Sequence, residues 1–188
     1  MLKPIRTLTR VDKEGLIPNL VHLKNISKIK SKILAIDPGT RYMGIALLDC
    51  GNLVYSGVKV IRRRRSPHET LWACRKIILQ LINDFRPQVL VVEKTFFAQN
   101  KNTALLNVLV DEIKNVGRRK GLQVLCFAPS TMKKIICGNG RASKEEVARV
   151  VISKYPELKV FLTQDRKWKE RYHQNMFDAV ALGMIANS

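Results

Sequence analysis

"ILAIDPGTRYMGIALLD", residues 33–49, decides the fold. Two strand-like apolar runs flank a Pro-Gly turn, and a single carboxylate, Asp37, closes the first of them. A charge at the end of a buried strand is costly unless it is paired or bound to a metal. Asp37 therefore implies company from elsewhere in the chain. "NLVYSGVKVI" follows after Cys50-Gly51 and reads as a third strand. Three consecutive strands joined by short turns suggest an antiparallel meander.

The pattern then alternates. "SPHETLWACRKIILQLINDF" has helical spacing, with Leu71, Ile77, Ile78, Leu81, Ile82 and Phe85 on one broad face and Ser66-Pro67 as its start. "QVLVVEK" is a continuous apolar run, as expected of a strand covered on both faces, and ends at Glu93. A second helix over about 102–119 carries Leu105, Leu106, Leu109, Ile113 and Val116. "QVLCFAP" is another buried strand. Shorter helices are expected around 130–137 and 143–155, and a final one from about Gln174 to Ala186. The expected architecture is α/β, a mixed sheet flanked by helices.

At 188 residues the chain is long enough for one domain with a sizeable core. Its charge is far from balanced: 34 Lys+Arg against 15 Asp+Glu give a formal net charge of +19. Such an excess favours a polyanion, most often nucleic acid. A membrane is not the expected partner, since no apolar run approaches the roughly 18 residues of a spanning helix. Residues 1–32 hold eight basic and two acidic residues and lack the apolar core of a signal peptide. They are read as a basic N-terminal extension ahead of a domain over 33–188. Most of the positive charge remains in that domain. Two compartments fit: a cytoplasmic, nucleoid-associated site, or an organellar matrix with residues 1–32 as a presequence. Cysteines 50, 74, 126 and 137 have no CxxC pairing, which argues against a zinc site or a disulfide framework.

Three acidic residues stand in apolar settings. Asp37 ends the first strand, Glu93 ends the fourth, and Asp178 lies in "NMFDAVALGMIA", a helix apolar nearly all round. Alone, an Asp before Pro-Gly ordinarily caps a turn, and a Glu before Lys is ordinarily a solvated strand end. Together in a basic protein they suggest otherwise. If the first and fourth strands lie side by side and the last helix crosses their ends, three carboxylates converge and need cations between them. Hard oxygen ligands favour Mg²⁺, with Mn²⁺ as a substitute, over zinc. Two such ions about 4 Å apart suit phosphodiester cleavage, one activating water and the other steadying the leaving oxygen.

With these residues in place, the chain resembles the RuvC-type Holliday junction resolvases of the RNase H-like, retroviral-integrase-like superfamily. "AIDPGTRYMGIALLD" (35–49) is similar to that family's opening strand pair, and "VVEKTFFAQN" (91–100) to its second acidic motif and following aromatic. "PSTMKKIICGNGRASKEEVARVV" (129–151) resembles its basic stretch and fourth helix, and "DAVALGMIA" (178–186) its closing helix. The resemblance spans about residues 33–187. It implies an RNase H-like five-stranded mixed sheet over 33–188. It also implies a homodimer, for which the Leu105–Val116 face is the candidate interface, that nicks opposed strands of a four-way DNA junction, leaving 5′-phosphates, with branch-migration motor proteins as further partners. By motif position the metal-binding carboxylates would be Asp37, Glu93 and Asp178. Phe96 would stack on a junction base, and Lys133 and Lys144 would lie near the scissile phosphate.

One departure stands out. The family's Asp or His three residues before the last Asp is here Asn175, on the same helix face as Asp178. An amide oxygen binds Mg²⁺ more weakly, and His173, expected in a turn before the helix, is the alternative ligand or base. On this reading Asn175→Asp should restore a full carboxylate set. "RRRR" at 62–65, "GRRKG" at 117–121 and "RKWKERYH" at 166–173 are candidate phosphate contacts, and Trp168 and Tyr172 either stack on exposed bases or cover the core. Two other functions are weighed: an RNA-processing relative of the YqgF type, and a junction-binding protein whose site has weakened through Asn175.

Overall fold

The computed structural model describes residues 31–62, 66–94, 101–162 and 167–187, with the side chains of 101–103 and 167–171 excepted. Five strands form one sheet: β1 (Lys32–Asp37), β2 (Tyr42–Asp49), β3 (Asn52–Val60), β4 (Val89–Glu93) and β5 (Gln123–Phe127). Their spatial order is β3-β2-β1-β4-β5. The first three strands pair antiparallel, while β4 runs parallel to β1 and β5 parallel to β4. The meander and the side-by-side placement of β1 and β4 match the reading of the sequence.

Alternation along β1 and β4 divides the core into two layers, because successive side chains point to opposite faces. Leu34, Ile36, Leu90 and Val92 pack beneath α1 (Pro67–Phe85) and α2 (Lys101–Arg119). Ile33, Ala35, Val89 and Val91 pack against α3 (Pro129–Cys137), α4 (Lys144–Lys154) and α5 (Lys167–Ala186). A short 3-10 turn, Pro156–Phe161, links α4 to the segment before α5. Ser66 caps α1 through its hydroxyl, which accepts from the Glu69 amide, and Pro67 occupies the first turn as expected.

Two expectations change. The last helix starts at Lys167 rather than near Gln174, so His173 sits inside α5 and not in a turn before it. The stretch Lys167–His173 contains no Pro or Gly, and its Lys, Glu and Arg are strong helix formers, so nothing stops the helix sooner. The apolar face of α2 is not an open interface: Leu109, Ile113 and Val116 are buried against α1 and the sheet. Of the two readings of Tyr172, covering the core is the one the contacts favour: its ring meets Tyr42 edge-on at 5.6 Å and its hydroxyl lies 3.4 Å from the Val58 carbonyl oxygen. The basic extension apart from its last two residues, Arg63–Arg65 and the side chain of Trp168 lie outside the described residues. All four cysteines are free thiols.

Candidate active site

Strand register brings the first two carboxylates together. Ile33 faces Val89, Ala35 faces Val91 and Ile36 faces Val92, a constant offset along the β1–β4 ladder. One step further in the same register sets Asp37 beside Glu93, each the last residue of its strand. Both fall on the α5 side of the sheet, because they continue the alternation Ile33, Ala35 and Val89, Val91. The carboxyl ends of neighbouring parallel strands are where open α/β sheets place their ligands.

Helix α5 carries the third carboxylate. It lies across β2 and β1 through two glycines. A Cβ on Gly44 would overlap the backbone carbonyl of Asn175, and one on Gly183 would overlap the Leu48 side chain. Gly44 is also the cross-strand neighbour of Asp37, so the closest approach of α5 to the sheet occurs beside that residue. Asp178 follows one helical turn after Gln174, whose Nε2 donates to its Oδ1 at 2.9 Å. The i,i+4 spacing of Gln174 and Asp178 was visible in the sequence, but not that they bond.

The electrostatics are those of a carboxylate cluster. Asp37, only 8% exposed, has its pKa raised well above the ordinary value. Burial is the largest cause, followed by the charges of Glu93 and Asp178 and a side-chain hydrogen bond with Glu93. Glu93 and Asp178 are also raised, again mainly by burial. Lys144 draws all three back toward ionisation, and Lys133 does so for Glu93 and Asp178.

Lys144 owes its place to a capping box at the start of α4. The Ser143 hydroxyl accepts from the Glu146 amide at 3.1 Å, and the Ser143 amide donates to Glu146 Oε2 at 2.6 Å. A lysine in the first turn opposes the helix dipole. Here the neighbouring carboxylates compensate, a local rule broken where function needs it.

As the side chains stand, no group of three or more His, Cys, Asp or Glu among the described residues is set to hold a metal ion. Asp37 and Glu93 bond to each other, and Asp178 is turned to Gln174. The donor set nonetheless fits a hard divalent cation. It comprises three carboxylates withdrawn from water, all of them oxygen donors, whose mutual repulsion a cation relieves.

The other candidates divide. Asn175 Nδ2 donates to the Tyr42 carbonyl at 2.8 Å, tying α5 to the start of β2. The His173 ring packs at 4.8 Å from that of Phe161 and edge-on to Tyr172 at 5.2 Å. Phe96 lies outside the described residues. Gln174 and Gly44 are site residues that the motifs did not single out.

The chain is similar to known proteins of one family. The family model described as crossover junction endodeoxyribonuclease RuvC matches residues 33–165. The RuvC of Christiangramia forsetii is 30% identical over 135 residues, covering 69% of this chain and 70% of its own. That of Halorhodospira halophila is 34% identical over 125 residues, covering 64% and 75%. Two solved structures share the fold. Thermus thermophilus RuvC in complex with Holliday junction substrate has a TM-score of 0.65 at 21% identity, covering 82% of this chain and 91% of its own. The yeast mitochondrial Holliday junction resolvase Ydc2 has a TM-score of 0.66 at 14% identity, covering 89% and 83%.

Proposed function

Because the chain belongs to the RuvC family of crossover junction endodeoxyribonucleases, we propose that it resolves four-way DNA junctions by paired, metal-dependent nicks. The observation that carries the reading is the β1–β4 register, which sets Asp37 beside Glu93 at the strand ends under Asp178. Family membership favours DNA junctions over the ribosomal-RNA precursors of YqgF-like nucleases.

The residues take distinct roles. Asp37, Glu93 and Asp178 hold two Mg²⁺ ions, replaceable by Mn²⁺. Those ions, when bound, supply an activated water and steady the leaving oxygen. To hold the ions all three carboxylates present ionised oxygens, a form that the Lys144 charge favours. Lys144 and Lys133 neutralise phosphate beside the carboxylates, as compact ammonium groups do. The +19 charge supplies the sequence-independent part of junction affinity. Asn175 serves by anchoring α5 to β2, which sets the height of Asp178 above Asp37.

The chain acts as a homodimer on this reading, since two opposed strands are cut. Trp72 and Val108, 60% and 51% exposed, flank a groove between α1 and α2 and form the proposed contact. The decisive experiment is cleavage of a synthetic four-way junction with and without Mg²⁺, by wild type and Asp37→Asn. Paired nicks by the wild type in Mg²⁺ alone, lost in the variant, are expected. Equal cutting by both proteins, or none by either, overturns the assignment.

A further inference from the structure

Between the start of α4, the 3-10 turn and α5 lies a cavity of about 480 Å³, bordered by Lys144, Glu145, Phe161, Leu162, His173 and Gln174. That volume falls within the roughly 300–1,000 Å³ of small-ligand sites. The carboxylates Asp37, Glu93 and Asp178 are not in its walls.

The walls combine two chemistries. Phe161 and His173 form an aromatic pair tilted by 41°, and Tyr172 buttresses the His173 ring edge-on. Rings that brace one another offer a surface whose orientation is set before a ligand arrives. Lys144, Glu145 and Gln174 contribute a cation, an acceptor and an amide beside that surface.

Two of these residues connect the cavity to the carboxylate cluster. Lys144 acts on the charges of Asp37, Glu93 and Asp178, and Gln174 bonds directly to Asp178. The cavity thus adjoins the cleavage position, one side chain away. A phosphate held at the carboxylates keeps its own nucleotide within reach. A simple anion suits the aromatic wall and Glu145 poorly, and a purely apolar ligand would leave the polar groups unpaired. A nucleobase satisfies both, with a π face for the rings and an edge for hydrogen bonds.

We propose that this cavity receives an unstacked nucleobase of the cut strand, next to the scissile phosphate. The proposal rests on the nuclease reading. Captured there, the base fixes the phosphate's position along the carboxylates and is a point at which base identity is felt.

The test uses four-way junctions bearing single abasic sites, scanned through the nucleotides on either side of the nick. Affinity is measured in EDTA, so that neither metal nor turnover enters. Wild type should lose roughly 5- to 150-fold in affinity at one position, the range for a single stacked base. In Phe161→Ala the intact junction should bind more weakly, and the abasic site at that position should add no further loss. Leu162→Ala, at a residue 40% exposed, repeats the comparison should Phe161→Ala unfold. An abasic scan with no sensitive position overturns the proposal, as does sensitivity that persists in full in the variants. A chain that neither binds nor cuts an intact junction overturns the nuclease reading instead. One that does both yet ignores the scan overturns only the cavity.

Discussion

The side-chain amide of Asn175 donates a 2.8 Å hydrogen bond to the backbone carbonyl of Tyr42, across 133 residues of chain. The reverse amide orientation would face two oxygens, so the donor assignment follows from chemistry. The bond joins α5 to β2 just where Gly44 admits the Asn175 backbone. An aspartate at 175 has no donor and would press a carboxylate against the Tyr42 carbonyl. The sequence alone suggests that Asn175→Asp improves the site; with this bond in view, the substitution is expected to loosen it.

Asn175→Asp should therefore destabilise the fold by about 1 kcal/mol, as for a lost part-buried hydrogen bond. Thermal melting should fall by roughly 2–4 °C per kcal/mol for a chain of this size. Half-maximal cleavage should need more Mg²⁺. A variant that melts as wild type and needs less Mg²⁺ would return Asn175 to the role of fourth ligand.

Gly44→Ala tests the seating of α5. The added methyl meets backbone, which cannot swing aside as a side-chain tip can. Overpacking of this kind costs about 1–3 kcal/mol, and here it also lifts Asp178 away from Asp37. Cleavage should drop at least tenfold while junction affinity stays within about twofold. Unchanged cleavage in Mg²⁺ would show that the height of α5 is not critical.

The pH dependence of stability carries a sign. Asp37, Glu93 and Asp178 all have folded-state pKa values above the ordinary 3.8 or 4.5. The folded protein thus holds protons that the unfolded chain releases. These groups favour folding below their ordinary values, and that contribution fades as pH rises through the raised ones. In EDTA, Asp37→Asn should gain stability over wild type as pH rises from about 4 to neutrality. Mg²⁺ should raise the wild-type melting temperature at neutral pH and do little for the variant. Parallel melting curves at every pH would mean that the carboxylates do not repel one another.

Junction binding should weaken linearly in log–log terms with salt, by about 0.9 per phosphate neutralised on duplex arms. Lys133→Ala should reduce that slope by about one and weaken binding to all junction sequences alike. A titration showing affinity nearly independent of salt would remove the basic surface from the binding face.

The alternation of strands and helices, the meander and the three acidic positions were legible in the sequence by itself. Each is local: period-two apolar runs, helical spacing, Pro and Gly at turns, and a carboxylate where the pattern calls for an apolar residue. The Ser143–Glu146 capping box is equally local and fixes where α4 begins. What only the tertiary structure decided depends on contacts between distant segments. The β1–β4 register makes neighbours of Asp37 and Glu93; facing alone excludes only odd slips of one strand against the other, and the alignment itself is set by the ladder between segments distant in sequence. The partner of the Asn175 amide lies on another element, and so does the chemistry that makes the substitution meaningful. The burial of the α2 face escaped the sequence for the same reason, whereas the early start of α5 was a local signal, an unbroken run of helix formers from Lys167. An apolar stripe records that a surface is covered, not whether a sheet or a second chain covers it.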